Sequence, residues 1–162
     1  MLNKFKPDIE IDSVYHIDFD SLFDEGIRGI IFDIDNTLVA HDAPRTDESD
    51  ALIKKLYDKG FKVFFVSNND EDRVKTMLLN VNVDYIHKAG KPKAANYYRA
   101  FEIMGLDKSQ VVAVGDQLFT DCLGAKNAGI KFIKVGIVDK KEPPHIVLKR
   151  ILEKPVEILT KI

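Results

Sequence analysis

The chain has 162 residues, 45% hydrophobic and 31% charged, a length that suits one domain with a sizeable core. Lys+Arg 24 against Asp+Glu 26 gives a net charge of −2, which argues against a nucleic-acid partner and against an acidic disordered tail. The single cysteine, Cys122, excludes an internal disulfide framework and a Cys-rich zinc site.

The first residues, MLNKFKPDIEID, carry charges every few positions and lack an apolar stretch of signal-peptide length. No apolar run reaches the roughly 18 residues of a membrane span. A cytoplasmic protein is expected, folded as one domain over 1–162. Its core runs from about 27 to 138, with N- and C-terminal extensions packed on it.

Residues 8–26 hold Ile9, Ile11, Val14, Ile17, Phe19, Leu22 and Phe23 among acids, and predict a strand and a short helix at the sheet edge. Residues 29–35 form a short apolar run ending in carboxylates, the pattern of a buried strand. Leu52, Ile53, Leu56 and Tyr57 follow at helical spacing, between a Thr46 cap and a Gly60 stop. Residues 62–67 predict a second buried strand, and Asn69 or Asp70 caps a helix through Val74, Met77 and Leu78. A weak strand over 84–87 precedes Lys91-Pro92, read as a helix opening, and a helix face of Ala94, Tyr97, Tyr98 and Phe101. Then come a strand over 111–115, a helix over 120–128 closed by Gly129, and a strand over 131–135. A helix from about Pro144 to Glu153 closes the chain, with a second short element beyond Pro155.

This alternation predicts an α/β fold: a doubly wound, parallel, five-stranded Rossmann-like sheet. Such sheets bind ligands outside the carboxyl ends of their strands, at the switch point. The residues at those ends are Asp33, Asp35 and Thr37; Ser67 and Asn68; Lys91; and Asp116, with Asp121 in the following loop.

Each group alone has an ordinary explanation. Asp and Asn form turns, Ser and Asn cap helices, and proline starts them. Their order at successive strand ends favours chemistry. Asp33, Asp35 and Asp116 brought together would repel, and a hard divalent cation such as Mg²⁺ relieves that. Lys91, Ser67 and helix-start N–H groups can hold phosphoryl oxygens. Asp33 can then attack phosphorus, while Asp35 protonates the leaving oxygen and later activates water.

These motifs resemble those of the haloacid dehalogenase superfamily of phosphatases. DxDxT matches Asp33, Asp35 and Thr37; the hydroxyl motif matches Ser67; the lysine motif matches Lys91; GDxxxxD matches Gly115, Asp116 and Asp121. The flanking residues are similar to the YqeG-like group of the capless, III-type branch, from about Phe5 past Val138. The resemblance implies Asp33 as nucleophile and Mg²⁺ ligand, and Asp35 as acid/base with its main-chain carbonyl on the metal. It implies Asp116 as a further ligand and Asp121 orienting Lys91 or a metal-bound water. Thr37, Ser67, Asn68 and Lys91 would bind phosphate, with Thr37 also holding the nucleophile loop. Lys91 is preferred to Lys93 because proline follows it. Relatives of this group include phosphatidylglycerophosphate phosphatases, so a lipid phosphate is one expected substrate.

Positions 36–66 and 68–90 are each used up by a loop, a helix and at most a strand, which leaves no room for a cap domain. An open site suits a large or membrane-presented phosphorylated substrate. Lys149, Arg150, Lys154 and Lys161 lie among apolar residues in the last segment, a pattern compatible with peripheral membrane contact or with packing on the domain or a partner subunit. The alternatives are a scaffold or binding protein on the same fold, a phosphatase of proteins or small metabolites, and a receiver domain, which the motif order disfavours.

Overall fold

The computed structural model describes residues 2–79 and 81–161. Six parallel strands make one sheet: β1 (Ile9–Ile11), β2 (Gly29–Phe32), β3 (Lys62–Val66), β4 (Asp84–Ile86), β5 (Val111–Gly115) and β6 (Lys131–Val135). Their spatial order is β1-β6-β5-β2-β3-β4. The chain runs from β2 outward through β3 and β4, then returns to build β5 and β6 on the other side. The switch point therefore lies between β2 and β5, which pair from Gly29↔Val111 to Phe32↔Val114.

The helices are α1 (Phe19–Asp24), α2 (Asp47–Lys59), α3 (Glu71–Met77), α4 (Ala95–Met104), α5 (Leu123–Ala128) and α6 (Pro144–Lys161). Alternate strand residues point to opposite faces. Ile30, Phe32, Val63 and Phe65 pack with Leu22, Leu56, Val74 and Met77 from α1–α3. Ile31, Phe64 and Val66 pack with Tyr97, Ala100, Phe101 and Ala125 from α4 and α5. With both faces covered, β2 and β5 are apolar and buried throughout.

Caps set the helix limits. The Thr46 side chain accepts from the Ser49 N–H in a capping box, and Gly60 closes α2 at φ 102°. Asp70, of the two candidates, caps α3 by accepting from the Arg73 N–H.

The structure departs from the sequence expectation in four places. The sheet has six strands rather than five, because Ile9–Ile11 pairs with Ile133–Val135 as an edge strand. Pro92 lies in a turn, and α4 begins only at Ala95. The helix expected from Thr120 starts instead as a π-helical turn, Leu118–Cys122, before α5. The C-terminal helix continues through Pro155 to Lys161. It is anchored on both sides of the proline: Glu153 accepts from the Phe119 N–H (2.8 Å), and Glu157 pairs with Lys134. These contacts outweigh the lost N–H of Pro155.

Candidate active site

The sheet places the acids. The Asp33 N–H donates to the Val114 carbonyl (3.0 Å), so the β2–β5 ladder extends one residue past β2 and holds Asp33 beside the end of β5. Asp116 directly follows that end. Carboxylate oxygens of Asp33, Asp116 and Asp121 lie within 4.8 Å of one another. Asp121 comes from the π-helical turn and reaches back over Gly115. A Cβ on Gly115 would sit 2.6 Å from the Asp121 Cβ, so only glycine lets the carboxylate come so close.

Lys91 Nζ donates to Asp33 Oδ1 (2.7 Å) and to Asp121 Oδ1 (2.6 Å). The other Asp121 oxygen accepts from the Gln117 N–H (3.1 Å). Arg150 of α6 pairs with Asp116 and with Glu142. Two cations, Lys91 and Arg150, thus meet four acids, Asp33, Asp121, Asp116 and Glu142.

Burial drives the titration of this group. It raises the Asp33 carboxyl to about 6; the neighbouring Lys91 opposes the shift and the Asp121 charge adds to it. Burial also pushes Asp116 far up, reinforced by Asp121 and Asp33 and opposed by Arg150. For Lys91, burial favours the neutral amine, but the Asp121 and Asp33 charges outweigh it and the ammonium is held well above the ordinary range. The cluster thus favours added positive charge.

Ser67, one residue past β3, is 1% exposed, and its N–H donates to the Ile86 carbonyl (3.0 Å). Its hydroxyl accepts from the Asn69 N–H (3.1 Å) and lines a cavity of about 80 Å³ with Asp33, Asp35, Asn68, Lys91 and Asp121. On a like measure one water needs about 10–15 Å³, so this space suits a group of phosphoryl size. The Asn68 side chain is engaged with the Lys91 main chain, accepting from its N–H (2.8 Å) and donating to its carbonyl (3.4 Å). This contact positions the Lys91 main chain, and Asn68 also lines the cavity. Thr37 is buried away from the cavity, its hydroxyl 3.5 Å from Asp116 Oδ1. Lys93 is exposed.

Asp35 faces the cavity from the other side. Its carboxylate accepts from Arg73 (2.6 Å), Asn69 (2.5 Å) and the Asp42 N–H (3.1 Å), outside the Asp33–Asp116–Asp121 group. Its ligand atom lies instead within 4.8 Å of those of His41 and Asp42. His41 lines the same cavity with its Nδ1 3.9 Å from Asp35, and Glu142, Ile146 and Lys149 complete the rim.

Sequence reasoning did not find Arg73, Asn69, Glu142 or Arg150 as members of the site. The one available signal was the position of Asn69 and Arg73 at the start of the helix after the Ser67 strand end. Glu142 and Arg150 arrive from a distant segment and carry no local signature.

The fold and this acid–lysine centre define a hydrolase of the Rossmann-like α/β class. The chain belongs to the haloacid dehalogenase-like hydrolases, whose family model matches residues 41–129 and so includes Ser67, Lys91, Asp116 and Asp121. It is 39% identical over 137 residues to the probable phosphatase YqeG of Bacillus subtilis, covering 83% of this chain and 80% of that one. It is 24% identical over 151 residues to the chloroplastic/mitochondrial phosphatidylglycerophosphate phosphatase 1 of Arabidopsis thaliana, covering 87% of this chain and 43% of the relative. In fold it is similar to the cobalt-bound deoxy-D-mannose-octulosonate 8-phosphate phosphatase of Haemophilus influenzae (TM-score 0.57, 18% identity, 77% of this chain and 75% of that one). An uncharacterized Listeria monocytogenes protein is comparably similar (TM-score 0.57, 22% identity, 72% and 85%).

Proposed function

We propose that the protein is a Mg²⁺-dependent phosphomonoesterase working through an aspartyl-phosphate, with a lipid phosphate such as phosphatidylglycerophosphate as substrate. The observation that carries the reading is the Lys91 bridge between Asp33 and Asp121, set beside Asp116 at the switch point.

The donor set fits the metal, because converging carboxylate oxygens are the ligands a hard cation takes. Asp33, Asp116 and the Asp35 main chain would hold it, with Asp121 adjacent. When bound, Mg²⁺ supplies positive charge against the acids and the phosphoryl oxygens.

The chain's own groups do the rest. Lys91 and the Ser67 hydroxyl hold two phosphoryl oxygens. An Asp33 oxygen forms the new bond to phosphorus as the ester P–O bond breaks. Asp35 gives its proton to the leaving oxygen. It then takes a proton from water, whose oxygen displaces Asp33 and releases inorganic phosphate. Asn68 fixes the main chain at Lys91, and Arg73 with Asn69 aligns Asp35.

Two features support a large substrate. Residues 36–66 hold α2 and β3, and residues 68–90 hold α3 and β4, with no further elements among the described residues. The small cavity admits a phosphoryl group and leaves the remainder of a substrate outside. The lipid assignment is supported by the Arabidopsis relative named above.

The test is hydrolysis of an aryl phosphate with Mg²⁺ or with chelator, followed by a panel of lipid, sugar, nucleotide and peptide phosphates. Metal-dependent turnover with preference for phosphatidylglycerophosphate is expected. No metal-dependent turnover by folded protein would overturn the phosphatase reading; preference for a soluble metabolite would overturn the lipid one.

A further inference from the structure

Helix α6 is turned inside out relative to an ordinary surface helix. Its polar side faces the protein: Arg150 holds Asp116, Glu153 accepts from the Phe119 N–H, and Glu157 pairs with Lys134. Its apolar side faces outward. Val147, Leu148, Ile151, Leu152, Ile158 and Leu159 are 41–64% exposed along one stripe. Amphipathic helices normally bury that stripe against the core. Apolar patches of this kind mark interaction surfaces.

Charge distinguishes the possible occupants. Both acids of α6 are turned inward and paired, while the exposed charged side chain within the stripe is Lys154. Lys140 and Lys141 are exposed just before the helix, and Lys149 lies at the cavity rim. The Lys161 side chain lies outside the described residues. A basic fringe around an apolar stripe, on a chain of net charge −2, complements an anionic lipid interface. A two-fold pairing of α6 with itself would bring these bases together with no free acid on the stripe to match them. The helix is not a span: no helix among the described residues is long and apolar enough to cross a membrane.

We propose that the outer face of α6 docks the protein on anionic phospholipid bilayers, by lying flat in the headgroup region. Ile146 and Lys149 of the same helix line the cavity, and a helix is only about 10–12 Å across, so the docked bilayer lies close beside the cavity mouth. Docking deepens the lipid-phosphate reading by naming the surface that presents the substrate. As a binding event it is independent of turnover.

The test is co-sedimentation of the full chain with vesicles of phosphatidylcholine alone or mixed with phosphatidylglycerol, beside hydrolysis of a soluble aryl phosphate. Expected is binding to the anionic vesicles that weakens with salt and drops about tenfold or more in Leu148→Glu/Leu152→Glu, with soluble-substrate turnover unchanged. Lys154→Glu weakens binding while every apolar side chain of the stripe is kept. Equal binding by wild type and double variant, or no binding to anionic vesicles, overturns the proposal. So does a concentration-dependent dimer, seen by sedimentation, that the double variant abolishes while vesicles bind neither form. Because vesicle binding is read without turnover, its failure is distinct from failure of the phosphatase reading.

Discussion

Arg150, on the C-terminal helix, pairs with Asp116 at the end of β5, whose side chain has no solvent exposure. The guanidinium stands on one of the acids assigned to the metal. Asp116 therefore has a resident counter-ion before any metal arrives, and Glu142 holds that counter-ion in place. Removing one partner of such a pair is expected to destabilise the metal-free protein by about 2–3 kcal/mol, some 5–10 °C in Tm. Arg150→Gln should show that loss in chelator and a larger Mg²⁺-induced rise in Tm than wild type, since Asp116 no longer has a competitor. An unchanged Mg²⁺ response, read by thermal unfolding, would separate Arg150 from the metal site.

Asp33 gives a prediction with opposite signs for two properties. As nucleophile its loss is severe: Asp33→Asn should reduce aryl phosphate turnover at least about a thousandfold. As a buried acid raised to about 6, its ionised form is disfavoured by the fold. The neutral amide should therefore raise the Tm of the metal-free protein at neutral pH. Calorimetry and a phosphate-release assay on one preparation check both signs.

The same carboxyl sets a pH dependence. Its value rises from 3.8 to about 6 in the folded state, so the folded protein holds the proton more tightly than the unfolded chain. Below the unfolded value both states are protonated and the group is neutral toward stability. As pH climbs through the window, the unfolded chain ionises first and stability falls, by at most about 3 kcal/mol for this group once the folded value is passed. Asp116 acts in the same sense. In chelator, the protein should melt at higher temperature near about pH 5.5 than near about pH 7.5, and Asp33→Asn should flatten the difference. A melting temperature that rises over this interval would contradict the burial account.

Gly115 is the steric condition for the Lys91–Asp121 contact. An alanine Cβ would meet the Asp121 Cβ at 2.6 Å, a separation that forces the π-helical turn outward. Gly115→Ala should cost about 1–3 kcal/mol and lower turnover. Urea titration and steady-state kinetics of the variant test this; a fully active, equally stable variant would show that the turn yields freely.

Sequence reading reached the strand-end chemistry because short apolar runs stop at carboxylates, and burial on both sheet faces makes those runs conspicuous. It let Asp33 and Asp116 converge on the condition that their strands are neighbours at the switch point, and the β2–β5 register shows that adjacency. It did not count β1 among the sheet strands, because Ile9–Ile11 is three residues long and largely exposed, which leaves little pattern. It ended the last helix at Glu153 because Pro155 is a strong local breaker, whereas contacts from Lys134 and the Phe119 N–H decide the outcome. Arg73 and Arg150 were missed for a related reason. Their partners Asp35 and Asp116 lie far away in sequence, and a surface arginine looks the same as one that closes a site.

Asn36 occupies the left-handed region at φ 57°, and its side chain accepts from the Asp139 N–H (3.0 Å) and donates to Glu142 (2.6 Å). Residues from opposite ends of the chain are thus tied together across the rim, as β1 is tied to β6. The order of synthesis then acquires meaning. A nascent chain that has emerged only as far as β5 holds the nucleophile, the lysine and the strand ends, but lacks the segment that seats Asn36 and covers Asp116. Such long-range closure slows folding and leaves the acid cluster open to water until residues 139–150 have emerged and packed.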